Sequence, residues 1–191
     1  IHWHPSKSSE IGYLAQLSEI DRSFPIRVRD LAVMGTWKGF NPFPGMNAAT
    51  RRKVDHALYQ AGVLDLAERP LHTLSGGQLQ RALFARVIVQ DAPLIILDEP
   101  FAAVDQNTEQ HLLQIIDGWK KENRTVILVI HDLSAVLDHC SHALLFGNGA
   151  ASFGPVVDVL SHNRLVAHGY ISASQASWLF RKSREEDNAH G

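Results

Sequence analysis

Residues 94–100 read Leu94-Ile95-Ile96-Leu97-Asp98-Glu99-Pro100. Four consecutive apolar residues behind Pro93 predict a strand buried on both faces. Two adjacent carboxylates follow where that strand runs out, and Pro100 keeps Glu99 from starting a helix. Downstream, Leu112, Leu113, Ile116 and Trp119 form one stripe, which predicts a helix over 108–121. A β-branched run, TVILVI at 125–130, predicts a second strand; a short helix then starts at Leu133, and 143–146 is a further apolar run. Strand, helix, strand, helix, strand is the pattern of a parallel sheet with helical crossovers, so the fold class is α/β.

Upstream of this unit the texture is different. Residues 10–16 (EIGYLAQ) predict a short strand running into a loop, followed by an apolar stretch at 26–34 and a Gly/Pro-rich loop at 39–45. Val54, Leu58 and Ala61 recur at helical spacing over 48–61 and end at Gly62. A second helix is predicted over 76–90, with Leu79, Ala82, Leu83 and Val87 on one side and Asp91-Ala92-Pro93 as its stop. The division expected is an α/β core of residues 1–16 and 89–170, a helical insertion at 17–88, and a tail at 171–191.

Composition narrows the classes of function. The 191 residues leave room for one ordinary domain. Lys+Arg 18 against Asp+Glu 20 gives a net charge of −2, which offers no basic field to nucleic acid. No apolar run approaches the ~18 residues of a membrane helix. A single cysteine, Cys140, excludes an internal disulfide and suits a reducing compartment. The 11 histidines, including His2, His4, His139 and His142, show no ligand spacing, so no transition-metal site is expected. No charged-then-apolar leader opens the chain, and its start at Ile1 points to a fragment.

Three sets of residues carry chemistry. In a parallel sheet, ligands sit beyond the carboxyl ends of the strands, where Asp98 can hold Mg²⁺ and Glu99 can orient or deprotonate water. Standing alone, the pair is equally a solvated turn. His131 follows the second strand, and a crossover leaves both carboxyl ends at one edge, so Asp98, Glu99 and His131 can meet. The plainer reading makes His131 a cap for the helix at Leu133. Leu74-Ser75-Gly76-Gly77-Gln78 contains a capping box of Ser75 and Gln78, but two glycines in a first helical turn each cost roughly 1 kcal/mol against Ala. Their evident use is to open the helix N-terminus to a phosphate.

Together these stretches resemble the ATP-binding-cassette (ABC) ATPases over about residues 10–165. LSGGQ at 74–78 resembles the signature motif, LIILDEP at 94–100 the Walker B motif, His131 the switch histidine, Gln16 the Q-loop glutamine, and FAAVD at 101–105, ending at Asp105, the D-loop. The resemblance implies a P-loop NTPase (RecA-like) sheet with an inserted helical subdomain, and ATP and Mg²⁺ as cofactors. It implies Asp98 and Gln16 on Mg²⁺, Glu99 as catalytic base, His131 on the γ-phosphate, and Ser75, Gly76, Gly77 and Gln78 closing on ATP held by a second subunit in a head-to-tail homodimer. It also implies an integral-membrane permease docked on the helical subdomain and Q-loop, and a peripheral place on the cytoplasmic face of the inner membrane.

One departure stands against these matches. No G-x-x-x-x-G-K-[ST] occurs; Lys7, Lys38, Lys53, Lys120, Lys121 and Lys182 are the only lysines, and none follows a glycine. The chain is therefore expected to lack its N-terminal P-loop portion and to be inactive alone. Ser23-Phe24-Pro25-Ile26 with Val28, Asp30 and Met34-Gly35, and Phe101 after Asp-Glu-Pro, are similar to importers of zinc and manganese. That branch implies an extracytoplasmic metal-binding protein as an indirect partner. Iron–siderophore importers share the layout, and a soluble, non-transport ABC ATPase is the other alternative. Phe24, Phe40 and Phe43 are candidates to receive a membrane subunit's coupling helix, or else a small local core.

Overall fold

The computed structural model describes residues 11–19, 21–22, 24–37 and 47–172. His2, His4, Ser23, Phe40, Phe43 and the tail from 173 onward lie outside the described residues. The chain divides into two compact units, Ile1–His131 and Asp132–Gly191.

The first unit is built on a parallel sheet in the order β1 (Ile11–Leu14), β2 (Leu94–Asp98), β3 (Thr125–Val129). Leu14 lies opposite Leu97, Leu97 opposite Leu128, and Asp98 opposite Val129. Three helices, α1 (Val28–Met34), α2 (Ala48–Gln60) and α3 (Gly76–Gln90), pack on one another between β1 and β2 in sequence, and α4 (Gln106–Lys121) crosses from β2 to β3. Alternation puts Leu14, Ile95 and Leu97 in the core with Leu83, Phe84, Leu112 and Ile116. The Phe84 ring stacks on Trp119 of α4 with centroids 5.6 Å apart.

The second sheet face departs from the expectation for residues 94–97. Leu94 and Ile96 are only half-buried, and Tyr13, Ile127 (47%) and Val129 (46%) are exposed. Among the described residues, only the face carrying Leu14, Ile95 and Leu97 is fully covered.

Local chemistry sets the helix ends. Asn47 Oδ1 accepts from the Thr50 amide at 2.8 Å to start α2, and Gly62, at φ +67°, turns the chain out of it. Asp105 caps α4, which begins at Gln106, two residues before the apolar stripe suggested. Asp91 ends α3 in the left-handed region and pairs with Arg124 at 2.6 Å and Lys53 at 3.5 Å. Arg29 ties α1 to Asp55 of α2 and, at 2.7 Å, to Glu68. Toward the far end of α3, Arg86 donates to the Tyr13 carbonyl at 2.8 Å, and burial pulls its pKa down.

The second unit corrects one expectation. The run at 143–146 is a strand, β4 (His142–Gly147), but it pairs antiparallel with β5 (Ala150–Pro155) in a two-stranded sheet of its own. The cause is the connection Asn148-Gly149, with φ +47° and +76°, the double positive φ of a two-residue hairpin turn. Buried His168 stabilises this hairpin: Nδ1 donates to the Gly147 carbonyl at 3.2 Å, and Nε2 pairs with Ser152 Oγ at 2.8 Å. Among the described residues, this unit also contains helices α5 (Leu133–His139), α6 (Val156–Val159) and α7 (His162–Ala167).

Phe84→Ala removes a fully buried ring and its Trp119 partner contact, and is expected to lower unfolding free energy by about 3–5 kcal/mol. Ile127→Ala on the exposed face is expected to stay within about 0.5 kcal/mol of wild type. Denaturant titration of both variants checks the contrast.

Candidate functional site

Because β1, β2 and β3 are parallel, their carboxyl ends share one edge. The Glu99 amide donates to the Val129 carbonyl at 2.9 Å, one rung beyond the strand, and Glu99 itself turns to φ +47° before Pro100. That turn presents its carboxylate to both neighbouring strands. Gln16 Nε2 donates to Glu99 Oε2 at 2.9 Å, and His131 Nε2 donates to Glu99 Oε1 at 2.9 Å. Gln16, Glu99 and His131 are thus brought together, each carried just past the end of its own strand. The alternative role of His131 as a helix cap falls to its neighbour, since Asp132 Oδ1 accepts from the Ser134 amide at 2.8 Å.

The side chain of Asp98, half-buried at the end of β2, makes no hydrogen bond or ion pair among the described residues. A carboxylate left without a donor in that position fits a divalent cation. Glu99 is different: the Gln16 amide, and then His131, hold its carboxyl below the usual glutamate range. These bonds favour folding above the unfolded glutamate value of about 4.3, and that contribution is lost as pH falls through the lowered folded value.

The 74–78 segment forms a second group. Ser75 Oγ accepts from the Gln78 amide at 3.3 Å, and Gln78 Oε1 accepts from the Ser75 amide at 3.0 Å, a reciprocal cap on α3. This leaves the Gly76 and Gly77 amides at the helix tip for an anion. The glycine pair has a packing reason as well, which corrects the reading that only a ligand explains it. A Cβ on Gly76 would stand 3.0 Å from Ala103 Cβ, and one on Gly77 2.9 Å from the Ala103 carbonyl. The chain between Pro100 and Asp105 therefore approaches so closely that a Cβ at Gly77 would force the backbone to shift, and one at Gly76 would be tightly crowded.

Ser75, Gly76, Gly77, Gln78, Ala103, Asp105 and Thr108 line an open cleft of about 380 Å³. Asp105 is bound within it, accepting from the Thr108 amide at 3.0 Å and hydroxyl at 2.8 Å, which together lower its pKa. Arg81 also lines the cleft and was not singled out from the sequence. The available signal was its position, three residues after Gln78 on the same helical face.

The ABC transporter family profile matches residues 2–102. The chain is 31% identical over 159 residues to the manganese transport system ATP-binding protein MntA of Synechocystis, covering 83% of this chain and 61% of that protein. It is 33% identical over 150 residues to MntB, a protein of the same description from Halalkalibacterium halodurans, covering 78% and 60%. It is 28% identical over 162 residues to the chelated iron transport system membrane protein YfeB of Yersinia pestis, covering 85% and 55%. The chain thus spans 55–61% of the length of these relatives.

Among solved structures, an inward-facing ABC transporter of metal-chelate type superposes with a TM-score of 0.75 at 28% identity, covering 85% of this chain and 64% of that one. A nucleotide-free ATP-binding cassette superposes at 0.68 with 19% identity. The fold is the α/β fold of the P-loop NTPases, in its ATP-binding-cassette form. The chain belongs to the ABC transporter family.

Two measurements check the geometry. Gln16→Ala and His131→Ala are each expected to raise the pH at which Glu99 protonates, the former more, read by ¹³C NMR of its carboxyl carbon. Gly77→Ala is expected to cost about 1–3 kcal/mol in denaturant unfolding, because its Cβ must displace the 103–104 backbone.

Proposed function

We propose that these residues belong to the ATP-hydrolysing, energy-coupling subunit of an importer of transition-metal ions, with manganese or zinc as cargo. The observation that carries the reading is the Glu99 carboxylate engaged at both oxygens, by Gln16 and by His131, beside the unpartnered Asp98. In this reading Asp98, with Gln16, holds Mg²⁺ next to the phosphates. Mg²⁺ supplies charge neutralisation for the transferring phosphoryl group. Glu99, kept ionised at neutral pH, orients and deprotonates the attacking water. His131 donates toward the γ-phosphate, and Gln16 links this edge to the surface that meets the transporter. Ser75, Gly76, Gly77 and Gln78 offer the α3 tip to ATP on a second, head-to-tail subunit, with Asp105 at the same junction.

The same reading assigns residues 1–16 and 89–170 to the RecA-like core, 17–88 to the helical subdomain and 171–191 to the tail. The helical subdomain and Q-loop receive an integral-membrane permease, for which Phe24, 58% exposed, is a contact. An extracytoplasmic metal-binding protein is an indirect partner, and the subunit lies peripherally on the cytoplasmic face of the inner membrane. Among the described residues no helix is long and apolar enough to cross a membrane. The manganese-transport names of the relatives support the cargo, and the chelated-iron name of YfeB supports an iron chelate as the second reading.

With no phosphate-cradling lysine loop in its 191 residues, the purified chain is expected to show no appreciable ATP turnover. Turnover that disappears in Glu99→Gln would refute this. Disrupting the coding sequence is expected to impair growth under manganese or zinc starvation, and a Glu99→Gln copy is expected not to restore it. A defect confined to iron-chelate media would favour the second reading.

A further inference from the structure

Glu99, which meets both Gln16 and His131, has φ +47°, a conformation that L side chains rarely take. Something must hold it there. Its amide is fixed by the Val129 carbonyl, and its carbonyl accepts from the Ala102 amide at 3.1 Å. A further contact comes from another element. Gln80 of α3 donates through Nε2 to the Glu99 carbonyl at 3.2 Å and to the Pro100 carbonyl at 2.9 Å.

Successive carbonyls of an extended strand point in opposite directions, so one amide nitrogen can meet both only when the chain turns at Glu99. Gln80 is fully buried, with 0% exposure, and its Oε1 has no partner. A residue there for packing alone would be apolar, because a buried orphan oxygen is unfavourable. Flipping the amide would set Oε1 against two carbonyl oxygens, so the orientation is fixed by the acceptors themselves. Gln80 also lies one helical turn from Gly76 and therefore joins the α3 tip to the hydrolytic edge within one chain.

We infer that Gln80 is a positioning residue for Glu99: its side-chain amide clamps the 99–100 carbonyls and thereby keeps the Glu99 carboxylate on Gln16 and His131. The inference rests on the proposed reading of Glu99 as the reacting carboxylate, but its test does not require turnover.

The test is ¹⁵N NMR of the His131 ring in the 191-residue chain, read where its ring shifts no longer change with rising pH. In wild type, the proton is expected on Nε2, held by Glu99. In Gln80→Leu, which keeps the volume but not the amide, that signature is expected to be lost to the same extent as in Glu99→Ala. A folded Gln80→Leu protein with the wild-type His131 pattern overturns the inference. A wild-type protein without the signature overturns the Glu99 site itself, and the inference with it. A second measurement needs no variant: both Gln80 side-chain amide protons are expected to exchange with solvent on the order of 100-fold more slowly than those of exposed Gln114. Comparable exchange rates overturn the clamp even if Gln80→Leu fails to fold.

Discussion

The site depends on the Glu99 carboxylate being held from two sides, at 2.9 Å by Gln16 and at 2.9 Å by His131. Neither partner is near Glu99 in sequence, so the arrangement exists only if three parallel strands end at one edge. The rung from the Glu99 amide to Val129, the turn at Glu99 and the burial of Leu14, Ile95 and Leu97 all serve that alignment. Its electrostatic result is a carboxyl held below the usual glutamate range, beside an aspartate side chain without a donor.

Much of this was legible in the sequence because the signals were local and strong. A four-residue apolar run ending in Asp98-Glu99 gives strand and site together, and the second run ending at His131 fixes the edge by the crossover rule. Helix α3 was readable to its ends, since Ser75 with Gln78 caps one side and Asp91 before Pro93 closes the other. The link from Gln16 to Glu99 came only from family likeness, because nothing in the spacing of residues 83 positions apart announces a hydrogen bond.

Other features were written in the sequence but outweighed by a broader pattern. Asn148-Gly149 is a strong hairpin signal, yet the alternation of strands and helices before it suggested one more parallel strand. The apolar content of residues 94–97 and 125–130 could not tell a sheet covered on both faces from one covered on a single face among the described residues. The demand for Gly76 and Gly77 comes from Ala103 and Val104, a contact between segments about 27 positions apart that a helix-propensity argument does not contain. Gln80 looked like a polar residue on a mixed helix, and its meaning lies in carbonyls supplied by another element.

Helix α3 grips its surroundings at three heights: the glycines against 103–104, Gln80 on the 99–100 carbonyls, and Arg86 on the carbonyl of Tyr13, three residues before Gln16. Fifteen residues of α-helix form a rod about 22 Å long that bends little over this span. One rigid element thus spans the glycine-lined tip, the glutamate turn and the strand that leads into Gln16, so the spacing among the three is fixed by a single helix.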